Sequence, residues 1–361
     1  MRKKQRHIVQ GALIGFGIAA LIDILMQLLE HLDRGEKFTW NDFDGTRTLK
    51  NGIIGGAIGA GAGYIKYVFG NSLDERQIFN SDEYLNNVLR TESLRENPDL
   101  LENALIFRDK LKLWIVENVS DKLVSLPVNS GSFIKRTANS NGFDVDITLP
   151  YKRDSFQSLE DMYNWTYDKL NSKFGNIAKV KRNTKAISIL FEKDGYEINF
   201  DVVPGREINN YKIDNELNLF VNPKVFWKRG SSFKINTAIQ RYATTNKPEA
   251  RRVIRLIKSY NYRNSLHLPS VVIEQAVIEA LSNRRYGVYS SDTDNLLNSM
   301  EYLVAKLEQE NFIDHGNSNN NLNNKLSNEQ RYTVVRLLKA DIEKIEASPY
   351  YLKEIFELYP N

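Results

Sequence analysis

The chain has no cysteine among its 361 residues. A disulfide framework and a thiolate metal site are thereby excluded, and the composition fits a reducing compartment. Histidine is scarce too: His7, His31, His267 and His315 stand far apart and form no ligand-like spacing. That argues against a zinc centre. A metal would have to sit on carboxylates, the oxygen ligands that hard cations such as Mg²⁺ prefer. A strong charge of one sign is also missing. Lys+Arg 49 against Asp+Glu 45 leaves +4, too nearly balanced for a dedicated duplex-DNA binder. What is present, 42% apolar and 26% charged residues, is the composition of a folded chain. The length suits roughly two domains plus an appendage.

The appendage is N-terminal. "MRKKQRH" is a basic cluster, and "IVQGALIGFGIAALIDILMQLL" follows as a 22-residue run interrupted by Gln10, Asp23 and Gln27. After a mixed-charge connector comes "NGIIGGAIGAGAGYIKYVFG", in which Gly55, Gly59 and Gly63 recur every four residues, as Gly11 and Gly15 do in the first run. Small residues at this interval let helix backbones approach closely in lipid. In a water-exposed helix each such glycine costs about 1 kcal/mol. Three readings compete. A cleaved signal peptide leaves the second run unexplained. A soluble helical hairpin is favoured by Asp23 and Lys66, which are costly in a bilayer. A membrane hairpin over residues 1–70 accounts for both runs and is the reading adopted. The basic start keeps the N-terminus cytoplasmic, and two passes return the remainder to the same side. The expectation is an inner-membrane protein with its folded part in the cytoplasm, or a cytoplasmic protein if the hairpin is soluble. The glycine-rich faces could also pair copies into a homo-oligomer.

The rest reads as α+β. From about 71 to 124 the pattern is helical and ends in "LLENALIFRDKLKLWIVENVSDKLV", with apolar residues at three- and four-residue intervals. Strands dominate to about 203, most clearly as "AISILFEK", Asp194-Gly195 and "YEINFDVV"; Asp-Gly between alternating runs is a strong hairpin signal. After Pro223 the pattern turns helical again, through "PEARRVIRLIKSYNYR", "SVVIEQAVIEALSN", a helix near 293–310 and, past an Asn-rich loop at 317–324, a last helix. That helix opens on the capping-box pair Ser327 and Gln330. The division expected is 1–70 hairpin, 71–230 core with leading helices, and 231–361 helical domain.

Within the core, residues two apart on a strand share a face. In "FDVDITL", Val145, Ile147 and Leu149 line one face while Asp144 and Asp146 share the other, with Cα atoms about 7 Å apart. In "YEINFDVV", Ile198, Phe200 and Val202 point inward, leaving Glu197, Asn199 and Asp201 on the polar face. If the two strands are neighbours, Asp201 joins the pair, and three carboxylates then need neutralising cations. Such a set suits two Mg²⁺ ions on a nucleoside triphosphate. Upstream, Gly131 permits close backbone approach and Ser132 adds a hydroxyl, both fit for phosphate. The other D-x-D pairs lack this context: Asp42/Asp44 lie in a connector, and Asp292/Asp294 look like helix-capping residues.

"GSFIKRT…FDVDITL…INFDVVP" resembles the nucleotidyltransferase signature of the CD-NTases, bacterial relatives of cGAS and oligoadenylate synthetase in the polymerase-β-like superfamily. The match falls on Gly131, Ser132, Thr137, Asp144, Asp146 and Asp201. "RRVIRLIKSYN" is similar to the family's Lys-containing helix, and "FIDHGNSNNNLNNKLS" resembles its late Asp-Pro…Asn-Asn loop, with His315 in the place of the proline. The resemblance covers about 100–345.

The resemblance implies a polymerase-β-like nucleotidyltransferase core with a C-terminal helical domain, to which a glycine-rich N-terminal hairpin is added. It also implies a metal-dependent enzyme that makes a cyclic or linear oligonucleotide second messenger from NTPs, in anti-phage defence. Asp144 and Asp146 would hold two Mg²⁺ (or Mn²⁺) ions, Asp201 would complete the one that activates the attacking hydroxyl, and Gly131, Ser132 and Lys258 would bind nucleotide. The competing readings are transfer of a nucleotide to RNA or protein, and a catalytically silent membrane scaffold with this fold. Lys258 shares its helix with Arg251, Arg252, Arg255 and Arg263, which also reads as a basic solvated face. Tyr260 and Tyr262 are candidates for base stacking or for core. Lys181, Arg182 and Lys185 would line a cleft or face water.

If residues 1–70 anchor the protein, the full chain should pellet with membranes and resist carbonate extraction, while a chain starting near residue 72 should be soluble without detergent. Recovery of the full chain in the soluble fraction would make the hairpin a soluble element.

Overall fold

The alternating apolar residues of the two acidic segments pack on one side of a sheet, and this decides the architecture. Strand β1 (Val128–Ser130) runs into a short helix, α3 (Gly131–Lys135), and then into β2 (Asp144–Tyr151). Helix α4 (Leu159–Phe174) crosses to β3 (Lys179–Arg182), which is followed by β4 (Ile187–Lys193) and β5 (Tyr196–Glu207). The sheet order is β1-β2-β5-β4-β3. Strands β2 and β5 are parallel neighbours, and the other pairs are antiparallel. The Asp194-Gly195 hairpin forms as expected: both residues have positive φ, 52° and 80°, and Lys193 pairs with Tyr196.

The described residues of this computed structural model are 79–140, 143–223, 230–283, 287–309 and 311–358, together with position 20. The expectations for the hairpin of 1–70, its glycine spacing, Asp23 and Lys66, and for Asp42/Asp44, lie outside the described residues. Among the described residues no helix is long and apolar enough to cross a membrane. Residues 81–361 form one compact unit.

The inward-facing set is the one that alternation indicates. Val145, Ile147, Leu149, Ile198, Phe200 and Val202 are all buried, and helices α2 (Pro98–Val119) and α4 cover them. Helix α2 contributes Leu100, Ala104, Phe107, Leu111, Ile115 and Val119, a run at the three- and four-residue spacing of one helical face. Its Phe107 meets three rings: Phe191 at 4.1 Å, Phe200 at 4.8 Å and Phe174 at 5.9 Å between centroids. One face of the sheet is thus filled with apolar side chains, and the acidic groups lie on the other.

The expected switch to helix after Pro223 comes later than the sequence suggested. Strand β6 (Glu216–Val221) pairs with the end of β5, and β7 (Ser231–Asn236) pairs with β6, making a seven-stranded sheet. "SSFKIN" is short and mostly polar, so its strand character comes from its partner. After the one-turn helix α5 (Tyr211–Asp214) between β5 and β6, helices α6 (Thr237–Tyr242), α7 (Pro248–Arg263), α8 (Ser270–Ser282), α9 (Asp292–Glu308) and α10 (Asn328–Ala347) follow β7. The Asn-rich segment is not a plain loop: β8 (Ile313–Asp314) and β9 (Asn317–Asn321) pair in a small hairpin. The capping box of Ser327 and Gln330 is present. At the start of α9 the cap is Ser291, whose side chain accepts from the Asp294 N–H; Asp292 is ion-paired with Arg252 instead.

Helix α1 (Ser81–Thr91), expected among the core's leading helices, packs with the C-terminal helices. Asp82 accepts from the Thr293 N–H at 3.0 Å, and the Tyr84 hydroxyl donates to the Phe356 carbonyl at 2.7 Å. The basic face of α7 is not a solvated one. Arg255 donates to Asn139 at 3.0 Å and to the Leu89 carbonyl at 2.6 Å, and Arg263 pairs with the largely buried Glu92 at 2.9 Å. These arginines fasten the helical layer.

Phe107→Ala should cost about 3–5 kcal/mol, because three aromatic neighbours would line the hole left behind. Urea unfolding of the wild type and variant, followed by tryptophan fluorescence, measures this.

Candidate active site

The parallel register of β2 and β5 sets Asp146 directly opposite Asp201, and Asp144 opposite Asn199. The three expected carboxylates therefore share one sheet face, as strand alternation requires. A fourth side chain ties them together. The Asn199 amide donates to Asp144 Oδ1 at 2.8 Å and to Asp201 Oδ1 at 3.2 Å, while its own carbonyl accepts from the Ser188 hydroxyl. Alternation had placed Asn199 on this face; its bridging role depends on the register. Among the described residues no three carboxylate or imidazole groups close into a metal-ligand cage. Two of the three aspartates, Asp144 and Asp201, are joined through the Asn199 amide.

Gly131 covers this cluster. Its φ is +70°, and a Cβ built on it would lie 1.5 Å from Asp146 Oδ2. No other residue type meets both conditions. Past Gly131, the Thr137 N–H donates to the Ser132 carbonyl at 2.9 Å. Thr137 is wholly buried and closes the loop that presents Ser132.

Electrostatics mark Asp146 most strongly. Burial, followed by the charges of Asp201 and Asp144, pushes its carboxyl up to about 7. Asp201 is also raised, by burial and then by Asp144, against the Asn199 hydrogen bond that lowers it. At both acids burial is the larger cause and like charge adds to it, while at Asp146 the nearby Lys135 ammonium works the other way.

A cavity of about 670 Å³ opens at the cluster, lined by Gly131, Ser132, Asp144 and Asp146 and walled by Lys135 and Glu274. Ile239 and Tyr242 of α6 and His315 also reach it. A second cavity of about 360 Å³ is lined by Ser132, Thr137, Lys258, Tyr262 and His267. The two share Ser132 and Ser270. Lys258 lines the smaller one, and its ammonium is paired with Glu274 at 2.7 Å. Of the two stacking candidates, Tyr260 is core: it is fully buried and donates to Asp341 at 2.8 Å. Tyr262 is exposed and faces the smaller cavity. Of the three candidate cations ahead of β4, Lys181 is exposed and the other two lie on nearby rings. The Arg182 guanidinium stacks on Tyr167 at 3.9 Å, and the Lys185 ammonium lies 3.0 Å from the Phe233 ring centroid, where burial pulls its pKa down to about 8. Lys135 and Glu274 were not singled out from the sequence. Glu274 had a signal, a lone carboxylate amid Val272, Ile273, Ala276 and Val277.

No family model matches the chain, and no curated protein matches it. Solved structures do. E. coli MS115-1 CdnC with ATP superposes with a TM-score of 0.59 at 19% identity, over 77% of this chain and 98% of that one. The Bradyrhizobium diazoefficiens CD-NTase CdnG in complex with GTP gives 0.58 at 14%, over 72% and 91%. Elizabethkingia meningoseptica CdnE cyclic dinucleotide synthase with GTP and Apcpp gives 0.53 at 16%, over 74% and 99%. The chain thus has the fold of the CD-NTase structures, and the α+β core expected from the sequence is present.

An acid whose folded pKa lies above its unfolded value contributes stability that is complete below the unfolded pKa and is lost as pH rises through the folded one. For Asp146 that window runs from 3.8 to about 7. Asp146→Asn should therefore match the wild type near pH 3 and exceed it at pH 8, by on the order of 4 kcal/mol without added metal. Thermal unfolding across this range tests the difference; equal stability at pH 8 would contradict it.

Proposed function

We propose that the chain is a metal-dependent nucleotidyltransferase that makes a cyclic or linear oligonucleotide second messenger from NTPs, in anti-phage defence, with residues 1–70 as its membrane anchor. The observation that carries this reading is the trio Asp144, Asp146 and Asp201 on adjacent parallel strands beside the Gly131-Ser132 turn. Nucleotides named with the structural relatives, ATP with CdnC and GTP with CdnG and CdnE, support NTPs as the substrate class.

The residues fit a pair of hard cations. All three donors are carboxylates, the Asp146 carboxyl is pushed up to about 7 by burial and then by its acidic neighbours, and Asp201 on the neighbouring strand is raised with it. Asp144 and Asp146 would hold both ions and Asp201 would complete one. When bound, Mg²⁺ or Mn²⁺ ions supply charge neutralisation on the phosphates and a lowered pKa for a bound hydroxyl.

The chain's own residues do the rest. Gly131 lets the backbone approach the phosphates without a clashing Cβ, and Ser132 offers a hydroxyl at the junction of the two cavities. Asn199 keeps Asp144 and Asp201 oriented while the site fills and empties. The reaction is in-line attack of a ribose hydroxyl on the α-phosphorus of an NTP: the new O–P bond forms as the bond to the β-phosphate oxygen breaks, and pyrophosphate leaves.

Incubation of the full chain with each labelled NTP and Mg²⁺ or Mn²⁺, with products resolved by mass spectrometry, tests the proposal. A small phosphatase-resistant product is expected. Asp144→Ala should abolish its formation while leaving the melting temperature unchanged or higher. Label retained on RNA or protein would point to the other transfer reaction, and wild-type turnover by Asp144→Ala would overturn the assignment.

A further inference from the structure

Glu274 is a buried acid that the proposed reaction does not use. Its side chain is 8% exposed, and it lies on α8 among apolar neighbours. Both its oxygens are occupied. Lys135, from the helix that begins at Gly131, pairs with Oε2, and Lys258, from α7, pairs with Oε1 at 2.7 Å. The Thr137 hydroxyl also donates to Oε1 at 3.3 Å, and Lys258 reaches the Thr137 carbonyl at 3.4 Å. The two ammonium groups are themselves nearly buried, with their side chains 12% and 13% exposed.

Their placement gives this cluster a use beyond cohesion. Lys135 and Glu274 wall the larger cavity beside Gly131, Ser132 and Asp146, whereas Lys258 lines the smaller one beside Ser132 and Thr137. The lysines therefore flank the Gly131-Ser132 turn, one on each cavity. Two cations on one carboxylate leave a surplus positive charge there. A long lysine side chain near a cavity would ordinarily extend to water or, when buried, give up its proton. A shared buried carboxylate holds each ammonium in a fixed direction through a charge-assisted hydrogen bond, and at Lys258 it raises a pKa that burial lowers.

We propose that Glu274 is a positioning residue that holds Lys135 and Lys258 as a two-cation cradle for the polyphosphate of the nucleotide. This inference rests on the nucleotidyltransferase reading of the site. It contradicts simple charge counting, in which an acid near a phosphate weakens binding and its removal tightens it. Here removal frees the two cations from their fixed places, and binding weakens.

The test is the affinity of the full chain for inorganic tripolyphosphate and for ATP by calorimetry, with steady-state kinetics alongside. Glu274→Gln should raise the Kd for tripolyphosphate and the KM for NTP by about tenfold, the loss of one charge-assisted hydrogen bond, while kcat changes little. Glu274→Asp, which keeps the carboxylate, should recover most of the affinity. A folded Glu274→Gln variant that binds tripolyphosphate as the wild type does, or more tightly, overturns the proposal. Breaking a buried pair can also unfold a protein. If Glu274→Gln melts out, Lys135→Gln, which leaves the Glu274–Lys258 pair whole, must show the same loss of tripolyphosphate affinity, and unchanged affinity refutes the cradle. If the wild type transfers nucleotide and binds tripolyphosphate but the folded variants match it, only the role of Glu274 fails. If the wild type does neither, the nucleotidyltransferase reading fails and takes this inference with it.

Discussion

Three carboxylates crowd one face of a sheet whose other face is solid hydrophobic core, and much else in the structure follows from that crowding. Alternation puts Asp144 and Asp146 on the same side of β2, and the parallel pairing with β5 brings Asp201 level with Asp146. None of the three can turn away without carrying Val145, Phe200 or their neighbours out of the core. The core thus holds the aspartates against their mutual repulsion. Burial and then this repulsion raise the protonation range of Asp146, and the Asn199 amide bridges Asp144 and Asp201. In the proposed reaction such a site would receive cations with the work of gathering like charges already done when the sheet folds.

Helix α7 and the turns after α1 and α6 are tied to the segment around the Gly131-Ser132 turn by polar contacts. Asn139 donates to Glu92 at 3.2 Å and to the Arg255 carbonyl at 3.0 Å, and Thr244 donates to the Lys135 carbonyl at 3.1 Å. Glu274 belongs to the same set of fastenings, but its lysines sit on the cavity walls. Buried polar ties of this kind are directional, so they set the distance and angle between layers where an apolar contact would tolerate sliding. In the proposed reaction that directionality would keep the cations beside Ser132 aligned with the acids on the strands.

The strands and helices with a clear period were legible in advance. "FDVDITL" and "YEINFDVV" declared their buried and polar faces, Asp194-Gly195 declared its turn, and Ser327 with Gln330 declared a helix start, because each depends on neighbours within a few residues. Strand β7 was not legible: "SSFKIN" has little strand character of its own and takes its conformation from β6. The partners of helix α1 were not legible either, because amphipathic spacing says that a face is buried and not what buries it. Tyr260 and Tyr262, two residues apart on one helix, could not be told apart until the packing of α7 made the first core and left the second at a cavity.

Sequence alone determined which residues share a strand face, where the glycine must stand, and which acids and turn residues are the candidates for the proposed chemistry, since these follow from local period and residue type. Only the tertiary structure decided that β2 and β5 are parallel neighbours in the register that makes three acids one cluster. It also decided that Asn199 bridges two of them, and that Lys135, Lys258 and Glu274, separated by up to 139 positions, meet beside Ser132. Register and long-range ion pairs depend on how distant segments pack, and no local pattern carries that information.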